Sequence, residues 1–224
     1  MVNVILLAPL YGNGGIASWT KKYIDTFPTE EFRLIPISSV LSSKNMQAPI
    51  YERLRKGGQE VGSIIKQLKK NIVENDVKIL HTTTSGSLGT FRDYQVGKLC
   101  KKYGVKTIMH CRYGCIPDIL EHNNFMRWAL LQTMKYYDQI WVLDKYSFNA
   151  LSAIPDICDK VRLTPNSIEV DRLDCIASKS YTNFIFMANV LPTKGIFELI
   201  EAVKKVKYNI ELLIVGPEKE KIFF

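Results

Sequence analysis

Histidine is scarce in this chain. His81, His110 and His122 are the only three among 224 residues. The five cysteines (Cys100, Cys111, Cys115, Cys158, Cys175) are odd in number and contain no C-x-x-C pair. His110, Cys111 and Cys115 lie close together, but a fourth ligand at normal spacing is missing, which argues against zinc. The cysteines read as reduced thiols of a cytosolic protein. No stretch approaches the roughly 18 apolar residues of a membrane span. The amino-terminal apolar run lacks a basic leader and stops at Pro9, unlike a signal peptide. There is no G-x-x-x-x-G-K-[ST] and no G-x-S-x-G, so P-loop and α/β-hydrolase readings fall away.

What is present supports a packed globular chain. Hydrophobic residues make up 46% and charged residues 23%, which excludes a disordered or fibrous composition. The formal net charge of +8 favours anionic partners: phosphates, acidic lipid surfaces or nucleic acid. Lysines group as Lys66/Lys69/Lys70, Lys101/Lys102 and Lys204/Lys205/Lys207. They read as solvated helix faces, with an anionic membrane surface as the minority reading.

Strand and helix signals alternate. Continuous apolar runs at 2–8, 32–37, 77–81, 105–109, 139–143 and 160–163 suit strands buried on both faces. Helical periodicity is expected at 16–27, from about 58, after 87 to about 103, at 125–137 and at 144–153. Residues 38–50 read as loop, and Thr82–Ser87 as a polar turn. With no hairpin signals, the fold class is α/β: a doubly wound, parallel, Rossmann-like sheet. Residues 165–182 break the alternation, which restarts with a strand at 184–188, a helix at 194–207 and a strand at 210–215. The expected division is a first domain over 1–178 and a first βαβ unit of a second over 179–224. One such unit cannot bury both faces of its sheet alone.

Ligands of such sheets sit beyond the carboxyl ends of the strands. Three candidates fall there. The turn Gly12-Asn13-Gly14-Gly15-Ile16-Ala17 lets backbone N–H groups approach a phosphate at a helix start. It also matches G-x-G-x-x-G/A, but the acid that a dinucleotide-binding oxidoreductase needs after the second strand is missing from Ile35-Pro36-Ile37-Ser38-Ser39. In Asn189-Val190-Leu191-Pro192-Thr193-Lys194-Gly195, Lys194 opens the expected helix, where a diphosphate would complement it. His110 is expected in a loop at the sheet's mouth. There it either meets a sugar hydroxyl, moves a proton, or makes a structural bond. His81 reads as structural and His122 as exposed.

Five segments in order resemble glycosyltransferase family 4, whose architecture is GT-B: two Rossmann-like domains. Pro9 to Ala17 resembles the amino-terminal glycine loop. Thr107-Ile108-Met109-His110 resembles the strand ending in the active-site histidine. Asp138-Gln139-Ile140-Trp141-Val142-Leu143-Asp144 is similar to "D-x-I-x-x-x-S", and Thr164-Pro165-Asn166-Ser167-Ile168-Glu169-Val170-Asp171 to the "P-N-G-V-D" connector. Phe186 to Gly195 resembles "G-R-x-x-x-x-K-G". The resemblance implies retaining hexosyl transfer from a nucleotide-sugar donor, such as a UDP- or GDP-sugar, with no metal or cofactor. It implies a glycan or lipid-linked acceptor and surface-polysaccharide biosynthesis; the place expected from the cysteines is the cytoplasm, and the minority reading of the basic helix faces would add peripheral contact at the inner membrane face. Nucleic acid is not an expected partner. Gly14 and Gly15 would meet the donor diphosphate, Lys194 would neutralise the leaving group, and His110 would contact the transferred sugar. Asn189 stands where the family's phosphate-binding arginine is expected, and Ser167 replaces the connector glycine. The family's paired glutamates, eight apart, would lie past residue 224, so the chain is expected to be incomplete and weakly active or inactive. The competing class is a non-catalytic glycan-binding or partner-assisting module.

Overall fold

Continuous β-branched and aliphatic runs separated by amphipathic helices leave a chain one economical solution, a parallel sheet with helical crossovers. A computed structural model shows this solution. It describes residues 1–12, 14–40, 50–86, 89–122, 124–167 and 183–217. The chain divides into Met1–Ser167 and Ile168–Phe224. The division expected at 178/179 falls among residues 168–182, outside the described ones.

In the first unit, strands β1 (Val2–Ala8), β2 (Phe32–Ser38), β3 (Val77–Thr84), β4 (Lys106–Cys111), β5 (Gln139–Val142) and β6 (Val161–Leu163) form one sheet. Its order is β2-β1-β3-β4-β5-β6, and every pairing is parallel. The helices are α1 (Gly15–Asp25), α2 (Ile50–Glu74), α3 (Gly89–Lys102), α4 (Ile116–His122), α5 (Asn124–Met134) and α6 (Lys145–Ser152). The order reverses at β1/β3, the switch point where a crevice opens in such sheets.

The two sheet faces differ. One carries Ile5, Leu7, Ile37 and Leu80 against Ile64, Leu68 and Ile72 of α2 and Val96 and Cys100 of α3. The same face continues with Met109, Cys111, Ile140 and Val142 under Ile116, Leu130, Met134 and Leu151 of α4, α5 and α6. The alternate residues face the other way, because successive side chains along a strand point to opposite faces. There α1 covers the sheet, and His81, His110 and Trp141 lie across β3, β4 and β5.

Several boundaries depart from the sequence reading. Thr82, Thr83 and Thr84, expected in a turn, complete β3 and pair with Met109, His110 and Cys111. Threonine is β-branched and sits well in a pleated strand once a neighbour satisfies the backbone. His110, expected in a loop, is therefore a strand residue. The strand's alternation also turns Cys111 to the opposite face, so the two could not share a ligand. Helix α2 begins at Ile50, with Gly57 and Gly58 inside it. The buried stripe of Ile64, Leu68 and Ile72 outweighs interior glycines that cost about 1 kcal/mol each. The short helix α4 was not visible as periodicity.

Two motif residues have structural work. The Asp138 carboxylate accepts from the Thr107 amide at 2.9 Å and its hydroxyl at 3.0 Å, tying β4 to the start of β5. Asp144, at the place of the motif's serine, caps α6 by accepting from Ser147 N at 2.8 Å.

In the second unit, β7 (Asn183–Met187) and β8 (Glu211–Val215) pair in parallel around α7 (Ile196–Lys204). Phe184, Ile185, Met187 and Leu213 are at least half exposed. No helix among the described residues is long and apolar enough to cross a membrane. The lysine groups are exposed.

Helix α3 is held by a buried ion pair. Asp93 is fully buried, and its Oδ1 accepts from Arg92 Nε at 2.9 Å and from a terminal guanidinium nitrogen at 2.6 Å. Arg92 also donates to the Thr83 carbonyl at 3.0 Å and the Ser39 carbonyl at 3.3 Å, fastening α3 to the ends of β3 and β2. Replacing Asp93 with Ala leaves that arginine uncompensated. Asp93→Ala is expected to lower unfolding free energy by about 3–5 kcal/mol, measured by urea denaturation. A loss under about 1 kcal/mol would show that the pair holds nothing together.

Candidate functional site

Trp19 and Tyr23 are four apart on α1, so they share one helix face. Their rings stack at 4.8 Å between centroids. That face lies over the sheet surface carrying His81 and His110. Trp19 meets His110 edge-on at 5.1 Å and His81 at 5.8 Å, while Tyr23 meets His81 at 5.3 Å. From β5, Trp141 closes the other side, 5.0 Å from His81 and 5.6 Å from His110. The two imidazoles are nearly parallel, at 15°, and only 1% and 2% exposed.

Their nitrogens form a line of contacts. Tyr23 Oη lies 3.2 Å from His81 Nδ1, and His81 Nε2 lies 3.3 Å from His110 Nδ1. His110 Nε2 lies 3.4 Å from a terminal nitrogen of Arg112. Guanidinium only donates, so His110 Nε2 must offer its lone pair. Neutral His110 then carries its proton on Nδ1 and donates to His81 Nε2. By the same logic His81 donates from Nδ1 to the Tyr23 oxygen. One obligate donor thus sets the tautomer of both rings. Burial disfavours the charged imidazoles, and Arg112 adds repulsion. His81 is pushed down to about 4 and His110, which also feels His81, to about 3.

Arg112 follows β4 and covers this line. Its guanidinium lies 4.3 Å from the Trp19 ring centroid. Its other terminal nitrogen donates to Asn166 Oδ1 at 2.7 Å.

The glycine turn lies at the end of β1, beside the same switch point. Gly14 is the N-cap of α1 and offers no side-chain cap, while Gly14 and Gly15 are exposed. A Cβ built on either would meet nothing within 4 Å. Neither is glycine because the protein's own packing demands it. Asn13 is outside the described residues.

Asn189 and Lys194 belong to the second unit. Asn189 follows β7 and is half-buried. Lys194 does not open the helix, as the sequence suggested. It ends a 3-10 turn, Pro192–Lys194, and Gly195 at φ 78° separates it from α7. Glycine tolerates that left-handed backbone, and the kink sets Lys194 just outside the helix start, exposed.

The structure therefore brings His110 together with His81, Trp19, Tyr23, Trp141 and Arg112. The sequence reading passed over the last four. Their one signal was the Trp19/Tyr23 spacing, which by itself reads as a core stripe. His110 sits beneath Trp19 and does not lie open at the mouth. Among the described residues no three His, Cys, Asp or Glu side chains gather as a metal site. At the opposite, amino-terminal pole of the sheet, a cleft of about 310 Å³ is lined by Lys101, Lys106, Lys135 and Lys160.

No protein-family model and no curated protein matches the chain. Solved structures do. HepE (Alr3699) of Anabaena, in complex with UDP and glucose, is 10% identical with a TM-score of 0.59, covering 97% of this chain. This chain spans 62% of that protein's length. UDP-GlcNAc 2-epimerase from Methanocaldococcus jannaschii is 12% identical with a TM-score of 0.53, covering 98% of this chain and 74% of its own. Phytolacca americana UGT2, complexed with UDP-2fluoro-glucose and pterostilbene, is 11% identical with a TM-score of 0.51, covering 96% and 71%. At such identities the likeness shows the fold, and it is the Rossmann-like α/β fold read from the sequence.

The buried imidazoles make stability depend on pH. Both bind protons less readily in the fold than at the ordinary value of 6.5, so the unfolded chain protonates first as pH falls. Their stabilisation is full above pH 6.5 and is lost on the way down to about 4 and 3. Urea unfolding should be level from pH 8 to 7, then weaken below 6.5 by at most about 1.4 kcal/mol per pH unit per histidine. The double variant His81→Gln/His110→Gln should flatten that slope, and an unchanged slope would locate the effect elsewhere.

Proposed function

We propose that this chain is the acceptor-side domain and the opening of the donor-side domain of a GT-B glycosyltransferase that takes its sugar from a nucleotide sugar. The observation that carries this reading is the exposed Gly14-Gly15 turn at the β1/β3 switch point. It opens a helix whose first amides have no partners within the helix, and among the described residues nothing fills the space a side chain would take. The fold shared with HepE, whose structure holds UDP and glucose, supports the same reading.

In this reading, negative charge builds on the departing diphosphate as the glycosidic bond to the donor breaks. Gly15 offers its amide there, with the positive end of α1 behind it. Lys194 adds a full charge, and Asn189 adds a hydrogen bond where an arginine would add charge. His110 supports the site from below through Arg112, since Trp19 covers it. Transfer is retaining, metal-free and hexosyl, to a glycan or lipid-linked acceptor of surface-polysaccharide biosynthesis. The exposed lysine faces give the chain peripheral contact with an anionic membrane.

The test is calorimetric titration of the full-length protein, its whole donor-side domain included, with UDP-glucose and GDP-mannose, using glucose as the control. Saturable binding of a nucleotide sugar, without binding of glucose, is expected. Gly15→Val should fold with stability within about 0.5 kcal/mol of the parent, because its side chain enters open space, yet bind at least tenfold more weakly. Lys194→Ala should lose about tenfold, the order of one charge-assisted contact. Absence of nucleotide-sugar binding, or full affinity in Gly15→Val, would sink the reading.

A further inference from the structure

Arg112 is half-buried, and its partners are unusual for an arginine in that position. One terminal nitrogen faces the neutral ring of His110, and the other donates to the neutral amide of Asn166. Among the described residues its Nε–H is buried without a partner and no carboxylate pairs with it. Arg92 shows the contrast, with two nitrogens aimed at Asp93 and two carbonyls taking the rest. Arg92 has its charge neutralised by Asp93, whereas among the described residues Arg112 meets no counter-charge.

The surroundings hold this uncompensated cation in place. Trp19 supplies a flat platform under the guanidinium at 4.3 Å. The fork is fixed at both ends by acceptors that carry no charge. Behind the first acceptor, His110 is braced by His81, and His81 by Tyr23. A charge removed partly from water without a counter-ion is costly, and burial indeed works against the charged form here. A side chain held so firmly against that cost is arranged for a counter-charge that arrives with a ligand.

We infer that Arg112, and not His110, is the ligand-facing group at this pole, and that it receives a phosphate or carboxylate oxygen while the Tyr23–His81–His110 line holds it in position as a chain of neutral acceptors. This rests on the reading above for the identity of the substrate and deepens it: the ligand bears an anionic group next to β4. That group is either the donor's diphosphate or an acidic group on the acceptor.

The test uses inorganic phosphate and pyrophosphate as probes. Binding is followed by calorimetry and by tryptophan fluorescence, since Trp19 touches Arg112 and Trp141 touches the imidazoles. The wild-type chain should bind pyrophosphate in a salt-sensitive manner, and Arg112→Gln should weaken binding at least tenfold. Arg112→Lys should fall between them, because it keeps the charge and loses the fork. It also carries the test if Arg112→Gln does not fold, circular dichroism being the check. Repeating the titration on the full-length protein with UDP saturating separates the two sources. Loss of pyrophosphate binding assigns the anion to the donor, and persistence assigns it to the acceptor. Nitrogen NMR of the imidazoles at neutral pH should show His110 protonated on Nδ1 and bare on Nε2. Equal affinity in Arg112→Gln, no anion binding by the wild type, or a proton on His110 Nε2 would overturn the inference. If UDP-glucose fails to bind while pyrophosphate binding still needs Arg112, the glycosyltransferase reading falls and this one stands. The reverse pattern has the reverse meaning.

Discussion

A guanidinium has five N–H groups and no lone pair. Placed 3.4 Å from His110 Nε2, Arg112 dictates where the protons of two buried imidazoles lie. If either ring became charged, two donors would face each other in a space closed by Trp19, Tyr23 and Trp141. The cluster therefore holds together only while both histidines are neutral, and the ring contacts of α1 with the sheet depend on the same condition. Helix α1 is thus fixed over the sheet by a polar line with one polarity, in addition to ordinary apolar burial. Its amino-terminal end carries the glycine turn, so the placement of that turn depends on the same contacts.

The unequal covering of the sheet explains why such a cluster can exist. On the face under α2 to α6, strand residues meet aliphatic side chains, as at Leu80, Met109, Cys111 and Ile140. A histidine there would be desolvated without partners. On the opposite face, among the described residues, α1 lies over the middle strands, and it brings aromatic rings with a hydroxyl and an indole edge. The alternation of β3 and β4 directs His81 and His110 to that side. The change from an apolar face to a polar one, within the same two strands, is what places the chemistry at the carboxyl pole.

Arg92 and Arg112 illustrate how equal side chains acquire different uses. Both lie near the carboxyl end of β3 and β4, and both are partly withdrawn from water. Arg92 has a buried carboxylate beside it and serves to fasten α3. Arg112 has an indole plane, an imidazole and an amide, none of which cancels its charge. Composition counts them alike, as two of thirty basic residues.

Much of the fold was legible from the order of residues. A short continuous apolar run such as Val4-Ile5-Leu6-Leu7, ended by Pro9, suits a strand buried on both faces, and the stripe Ile64, Leu68, Ile72 suits one helix face, so the alternating parallel architecture follows from local pattern. The strand ends did not follow. Thr82 to Thr84 look like a turn until β4 lies beside them, because a threonine hydroxyl suits a turn as well as a pleat. Helix α2 looked as if it began after Gly57-Gly58, because glycine lowers helix propensity without forbidding a helix that packing supports. Of the candidate site, the sequence alone marked the glycine turn, His110 and the Lys194 segment, since these follow strands. It could not mark Trp19, Tyr23, Trp141 and Arg112 as neighbours of His81 and His110, because they come from α1, β5 and the end of β4. Local periodicity determines which elements form and which residues share a face. Only the packing of α1 across three strands decided which polar groups meet, and therefore which nitrogen holds each proton and which cation meets no counter-charge among the described residues.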